Sequence, residues 1–336
     1  MKLLVITQKV NKDDDVLGFF HRWLIEFSQK VESLTVICLE KGEYDLPKNV
    51  KVLSLGKESG VGRFGYIKNL FKYLWSERKG YDTVFVHMNP IYLVVAGWFL
   101  KILRKPMYLW YTHHKIDFKL KIAILFVEKV FSASPRSFTL KKGKLKILGH
   151  GIDTKQFSPV DFDHKEITAL TVGRITPIKK IDIFLEALSV LHKKGLPIKG
   201  VIVGDVVYDS DVLYKKRLEK YIENNDMGSY VEFKGSIPNS QMRDEYAKSN
   251  IMINLSGEGS FDKAVLEAMS MDIQVVTSNP AFSDILEGYI CENSVDSLVS
   301  KIEKTVNKPV DDLREYVVEG HSVENLINRL INEMYE

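Results

Sequence analysis

The chain has few cysteines, no long apolar run and no repeats, and each absence narrows the possibilities. Two cysteines in 336 residues are too few for a disulfide framework. Cys38 in "LTVICLE" and Cys291 in "GYICENS" sit in strand-like apolar settings, which predicts reduced core residues. The longest apolar stretch, "IYLVVAGWFL" (91–100), is about half of the ~20 residues that a spanning helix requires. The amino-terminal "MKLLVITQKVNKDDD" is a short apolar strand followed by acids. It lacks the long apolar core and small-residue cleavage site of a secretion signal, so a cytoplasmic location is expected. No tract of low complexity or short-period repeat appears. No G-x-G-x-x-G follows a strand, which disfavours an ordinary dinucleotide dehydrogenase.

What remains is a soluble globular composition, 45% hydrophobic and 27% charged, on a chain long enough for two domains. The net charge of +3 conceals an asymmetry. Residues 1–150 carry 26 Lys and Arg against 13 acids, whereas residues 151–336 carry 21 against 31. Opposite charge on the two halves supports two domains with different partners. The basic half suits phosphates, nucleic acid or anionic lipid headgroups. A solvated lysine-rich surface is the plain alternative, and "LKKGKLKIL" (140–148) supplies much of the charge.

β and α signals alternate twice along the chain. In the first half, strands are expected at 2–8, 33–39, 50–55, 83–87, 107–112 and 146–150, with helices at 18–30, 64–78, 91–103 and 118–130. The second half restarts with "TALTVGR" (168–174) and a helix over 179–195 closed by Gly195. Strands at 199–205, 230–235, 251–256 and 273–278 follow, with helices at 211–225 and 239–248 between them. Near-continuous apolar strands suit parallel sheets buried on both faces. Two such series predict an α/β chain of two doubly wound domains. The boundaries fall at 1–152 and 153–318, with an amphipathic helix in 319–336 and the linker within "GHGIDTKQFSPVDFDHKE" (149–166).

Ligands of doubly wound domains sit beyond the carboxyl ends of the strands, which draws attention to "GRITPIKK" (173–180), "GDVVYDSD" (204–211) and "SGEGSFDK" (256–263). Arg174 offers a planar fork and Lys179 a point charge, a pairing suited to a diphosphate. Ser260 is a good N-cap for a helix over 261–271, whose free N–H groups would favour an anion. Glu267, nearly two turns on, can accept two hydrogen bonds from a diol such as a ribose. Each residue alone is more often a solvated turn or a surface acid.

Together these segments resemble a known family. "VGRITPIKKIDIFLEAL" is similar to the Gly-Arg…Lys segment of the retaining family 4 (group 1) glycosyltransferases. "LEAMSMDIQVVTS" resembles the second half of their E-x₇-E motif, "GHGIDTKQFSP" their interdomain segment, and "MKLLVITQKVNKDDDVLGFFHRWLIEF" their first strand and loop. The likeness spans the chain with spacing kept. It implies the GT-B fold, two facing Rossmann-like domains with an interdomain cleft. In that fold the carboxyl-terminal domain binds a nucleotide sugar and the amino-terminal one holds the acceptor. The last helix commonly crosses back to the first domain. The resemblance implies an enzyme that moves a hexose-type sugar, with retention and without a metal or other cofactor, from a UDP- or GDP-sugar. The acceptor would be a glycan or a lipid-linked molecule of the cell envelope. Arg174 and Lys179 match the diphosphate pair, Glu267 the ribose ligand, Gly18 the first-domain loop near the phosphates, and His113 a histidine near the transferred sugar. His114 is the competing register.

The departures from the pattern are specific. Eight positions before Glu267 stands Gly259, not a glutamate. Glu258 is one residue away, and the loop "GSFDKAVLEAM" resembles a variant in which Asp262 and Lys263 accompany the glycine. Glu258 or Asp262 is therefore expected to contact the donor sugar, with Gly259, Ser260 and Phe261 lining the loop. Lys180 replaces the usual Gly after the motif lysine, and His150 the usual Asn. A degenerate nucleotide-sugar-binding protein is the alternative. In "GRFGYIKNLFKYLWSERKG" (62–80), Ile67, Leu70, Phe71, Leu74 and Trp75 recur at helical spacing among cations. This pattern predicts peripheral association with an anionic membrane at its inner face, and no nucleic-acid partner.

Overall fold

The computed structural model describes residues 1–113, 116–135, 143–257, 261–306, 308 and 312–336. The chain divides into two compact units, Met1–Asp153 with Gly320–Glu336, and Thr154–Glu319. The elements run β1 (Lys2–Val10), α1 (Gly18–Lys30), β2 (Ser33–Lys41), β3 (Val50–Ser54), α2 (Arg63–Ser76), β4 (Thr83–His87), α3 (Ile91–Ile102) and β5 (Met107–Trp110). Next come α4 (Phe118–Phe126), β6 (Lys129–Ser132), β7 (Leu145–Ile147), β8 (Ile167–Val172), α5 (Ile181–Lys193), β9 (Ile198–Val203), α6 (Val212–Asn224) and β10 (Val231–Gly235). The chain finishes with α7 (Met242–Ala247), β11 (Ile251–Asn254), α8 (Lys263–Ser270), β12 (Gln274–Thr277), α9 (Val295–Thr305), α10 (Arg314–His321) and α11 (Val323–Tyr335).

The first unit is built on a parallel sheet in the order β3-β2-β1-β4-β5-β6-β7. Its strands are apolar on both sides because both faces are covered. On one face, Phe20, Trp23 and Phe27 of α1 share a core with Leu326, Ile327 and Leu330 of α11. On the other lie Leu70 and Leu74 of α2, Leu93 and Ala96 of α3, and Leu120 and Ala123 of α4. Ser322 caps α11 by accepting the Asn325 N–H. The glycine of "GHGID" has a steric reason: a Cβ on Gly151 would stand 2.5 Å from the Trp23 ring, whose indole N–H donates to the Gly151 carbonyl at 3.2 Å.

The second unit holds a parallel sheet in the order β10-β9-β8-β11-β12. Phe184, Leu188 and Leu191 of α5 pack in its core with Leu298 and Ile302 of α9. Both cysteines are free and buried, and burial pushes the Cys38 thiol up to about 12 and that of Cys291 to about 11.

Several boundaries differ from the sequence-based expectation. The helix expected over 118–130 ends at Phe126, and Lys129–Ser132 is a strand between β5 and β7. Four residues are too few to display a period, and the strand is held from afar: Lys129 donates to the Glu333 carboxylate of α11 at 2.9 Å. The strand expected at 146–150 is Leu145–Ile147. The helix expected over 179–195 starts at Ile181, because Lys180 adopts the left-handed conformation, φ 51°, after a 3-10 turn over Pro177–Lys179. Gly195 does close α5: its N–H bonds the His192 carbonyl and the Leu196 N–H bonds that of Leu191, a Schellman pair. Helices α9 and α10 are additions to the expected set.

Candidate functional site

In the second unit the connection order reverses between β8 and β11, and the loops leaving these neighbours meet beyond their carboxyl ends. On the other side of β8, Gly173 and Gly204 let its loop and the loop leaving β9 come together. A Cβ on Gly204, at φ +132°, would stand 2.0 Å from the Gly173 carbonyl oxygen, and one on Gly173 would strike Lys179 Cε at 2.9 Å. The Lys179 side chain therefore lies across Gly173 and reaches the Asp262 carboxylate, with which it forms a close ion pair. Arg174 leaves the same loop. Its guanidinium stands 5.7 Å from the Tyr208 ring, and it is exposed.

Asp262 corrects one expectation. Helix α8 begins at Lys263, not 261, and its N-cap is Asp262, which accepts the Ala264 N–H at 3.3 Å. Asp caps as well as Ser, and its charge complements the positive helix end. The anion at this helix start is the chain's own carboxylate. Asn254, at the end of β11, donates at 2.9 Å to the other oxygen, the one that Lys179 holds. Asn254 is itself held by hydroxyl donors from Ser256 at 3.0 Å and Thr277 at 3.1 Å. Burial pushes the Asp262 carboxyl up, but the Lys179 charge and these hydrogen bonds prevail and leave it below its usual range.

Glu267 is buried further along α8. One carboxylate oxygen accepts from Asn239 at 2.9 Å, the other from the Tyr246 hydroxyl at 2.9 Å. Lys263, one turn earlier, stands 4.0 Å away. Burial dominates both groups: it raises the Glu267 carboxyl despite Lys263 and the two donors, and it lowers the Lys263 ammonium to about 8 against the pull of Glu267. Phe261 packs edge-on against Phe282 at 4.8 Å. Glu258, Gly259, Ser260 and His114 lie outside the described residues.

The two remaining candidates belong to the first unit. Gly18 opens α1 after β1, and a Cβ there would meet the Lys12 carbonyl oxygen at 2.9 Å. His113 follows β5 and is exposed, edge-on to Tyr111 at 5.6 Å. The structure thus joins Lys179 to Asp262 directly, keeps Arg174 in the same loop, and sets Glu267 deeper in α8. Sequence reasoning missed Asn239, Tyr246, Asn254 and Tyr208. Asn254 had a signal, a polar residue ending an otherwise apolar strand.

Residues 153–321, half of the chain, match the model of the glycosyl transferases group 1 family. The chain belongs to this family. Among curated relatives, one component of human phosphatidylinositol N-acetylglucosaminyltransferase is 26% identical over 169 residues, 48% of this chain and 33% of that protein. Poly(ribitol-phosphate) alpha-N-acetylglucosaminyltransferase of Staphylococcus aureus is 26% identical over 188 residues, 52% of this chain and 36% of that protein. The chain spans less than half the length of the curated relatives it matches. Among solved structures, Anabaena HepE in complex with UDP and glucose covers 100% of both chains with a TM-score of 0.76 at 16% identity. This likeness shows the fold, which is GT-B. In this group 1 family member the matched region contains Arg174, Lys179, Asp262 and Glu267, whereas Gly18 and His113 precede it.

Proposed function

We propose that this chain transfers a hexose-type sugar from a nucleoside diphosphate sugar, with retention of configuration, to a glycan or lipid-linked acceptor. The observation that carries the reading is the pair of cations Arg174 and Lys179 beside the switch point of the second unit, one exposed and one held by Asp262. A leaving diphosphate develops charge as the glycosidic bond breaks, and preorganised cations stabilise that charge more in the transition state than in the ground state. Here the side chains take the role that a metal has in other transferases. Lys179 would exchange Asp262 for the diphosphate, and Asp262, relieved of the lysine, would face the sugar. Glu267, oriented by Asn239 and Tyr246, would accept the ribose hydroxyls. His113 is assigned to the transferred sugar and Gly18 to the phosphates by resemblance.

Two relatives are named for N-acetylglucosaminyl transfer and a structural neighbour is a complex with UDP, which supports UDP-sugars as the first donors to try and GDP-sugars as the second. A cytoplasmic enzyme at the inner face of a membrane fits the basic first half. The test is release of nucleoside diphosphate from a panel of UDP-, GDP- and ADP-sugars, with and without envelope glycans and glycolipids. We expect acceptor-dependent release from one donor class. Tight nucleotide binding with no turnover on any donor would overturn the transferase reading in favour of a degenerate binding protein.

A further inference from the structure

We propose that the outer face formed by α2, α3 and α4 of the first unit is a docking surface for an anionic lipid bilayer. This deepens the reading of a membrane-side acceptor and rests on it. The sequence pointed to 62–80 alone; the structure shows a larger face. The stripe expected in α2 splits: Leu70 and Leu74 enter the core, while Ile67 and Trp75 stay exposed. Phe64 is 91% exposed. On α3, Trp98 and Ile102 face outward, and on α4 Phe118 and Leu125 are 76% and 74% exposed. Phe118, Ile122 and Leu125 form a stripe at helical spacing opposite Leu120 and Ala123, which are buried. A helix apolar on both sides is normally covered on both.

The three helices form one continuous face. Phe71 of α2 meets Trp98 of α3 at 5.9 Å and Phe99 at 5.4 Å. Helix α3 packs closely on α4, where a Cβ on Gly97 would stand 2.6 Å from the Phe126 ring. Large contiguous apolar surface on a soluble protein marks an interaction site.

Charge selects the occupant. Residues 61–128 contain eleven Lys and Arg against four acids, and all four acids are engaged. Glu77 binds Lys51, Glu128 binds Lys101, Asp82 accepts the Lys2 N–H, and Asp117 caps α4. The exposed Arg63, Lys68 and Lys72 on α2, and Lys119 and Lys121 on α4, interleave with the exposed rings. Cations at headgroup level with aromatic and aliphatic side chains just below it match an acidic lipid surface. No described helix is long and apolar enough to cross a membrane.

The test is sedimentation of the full chain with vesicles of pure phosphatidylcholine and of equimolar phosphatidylcholine and phosphatidylglycerol, in dilute buffer and in high salt. We expect binding to the acidic vesicles alone, abolished by salt, with each removed cation weakening it roughly five-fold. Phe118→Ser with Leu125→Ser should release the protein from vesicles while leaving thermal unfolding and nucleoside diphosphate binding unchanged. Lys68→Glu with Lys72→Glu should do the same without touching an apolar residue. Absence of binding in dilute buffer, or binding indifferent to both double variants, would overturn the proposal. So would a concentration-dependent dimer that these variants dissolve, because the occupant would then be a second copy. Transfer to a soluble acceptor separates the two readings: variants that lose vesicles but keep transfer support both. Vesicle binding without transfer on any donor would sink the transferase reading alone.

Discussion

The switch points of the two parallel sheets can be compared residue for residue. In the first unit, β1 and β4 are neighbours, and the group at the end of β4 is His87, stacked on Phe20 at 3.9 Å and 5.7 Å from Trp23. In the second unit the equivalent place holds an ion pair, Lys179 with Asp262, and a buried acid, Glu267, beside a half-buried Lys263. One architecture closes its carboxyl end with rings and the other with opposed charges. Buried charges cost desolvation energy that rings do not, and their concentration in the second unit is what the proposed diphosphate site rests on. The fold alone assigns no such role. Exposed helix faces of the first unit carry cations instead, Arg63, Lys68 and Lys72 on α2 and Lys119 and Lys121 on α4.

The sharpest way to break the comparison is to remove the cations. Arg174→Ala and Lys179→Ala should each lower turnover by an amount equivalent to about 2–4 kcal/mol of transition-state stabilisation, with little change in melting temperature. Turnover within twofold of wild type for both would refute the site. The counterpart in the first unit is Trp23→Phe, which opens a cavity and removes the indole bond to Gly151. It should cost about 2 kcal/mol in denaturant unfolding while nucleoside diphosphate affinity, measured by calorimetry, stays the same.

Asp262→Asn sharpens the contrast because Asn caps a helix as well as Asp. Freed of its partner, Lys179 should bind nucleoside diphosphates several-fold more tightly, by about 1 kcal/mol, whereas turnover falls. If Asp262 served the sugar alone, nucleotide affinity would not move. The pH dependence follows from its depressed carboxyl. The stability it contributes is complete above its ordinary value of 3.8 and is lost as pH falls through the lower folded value. The Asn variant should lack that acid limb.

Lys263 adds a weaker alkaline effect. With its ammonium lowered to about 8, its proton leaves as pH rises through that value, and Glu267 loses its nearby cation. Nucleotide affinity should decline from pH 7 to pH 9 by about threefold, and Lys263→Arg should flatten the decline, since Arg stays charged. An unchanged slope in the variant would assign the limb elsewhere. The smallest effect concerns Lys180, at φ 51°. Lys180→Gly should raise stability by a few tenths to about 1 kcal/mol, the left-handed strain relieved less the added freedom of the unfolded chain. A lower melting temperature would show that the lysine side chain stabilises the turn.

Much of this was legible in residue order. The restart of apolar strands at 168 and the closure of α5 by Gly195 are local events that periodicity and turn chemistry reveal. Ser294 before α9, with Leu298, Val299 and Ile302 at helical spacing, was a comparable signal left unused. Strand β6 was not legible, because four residues show no period and its partners come from 107–110 and 145–147. The site divides in the same way. Arg174, Lys179 and Glu267 stand out because their motifs are short and contiguous. The N-cap went to Asp262 over Ser260 because two long-range contacts, Lys179 and Asn254, converge on its carboxylate.

The sequence by itself determined most of the element order, the family and the charge of each half, since apolar spacing, short motifs and composition are properties of neighbours along the chain. Only the tertiary structure decided that Asp262 answers Lys179 across 83 positions, that Tyr246 and Asn239 orient Glu267, and that Phe64, Trp98 and Phe118 face outward. Pairing and exposure depend on which strand ends and helix faces meet, and that is set when two distant loops close over the carboxyl end of one sheet and bring their charges together.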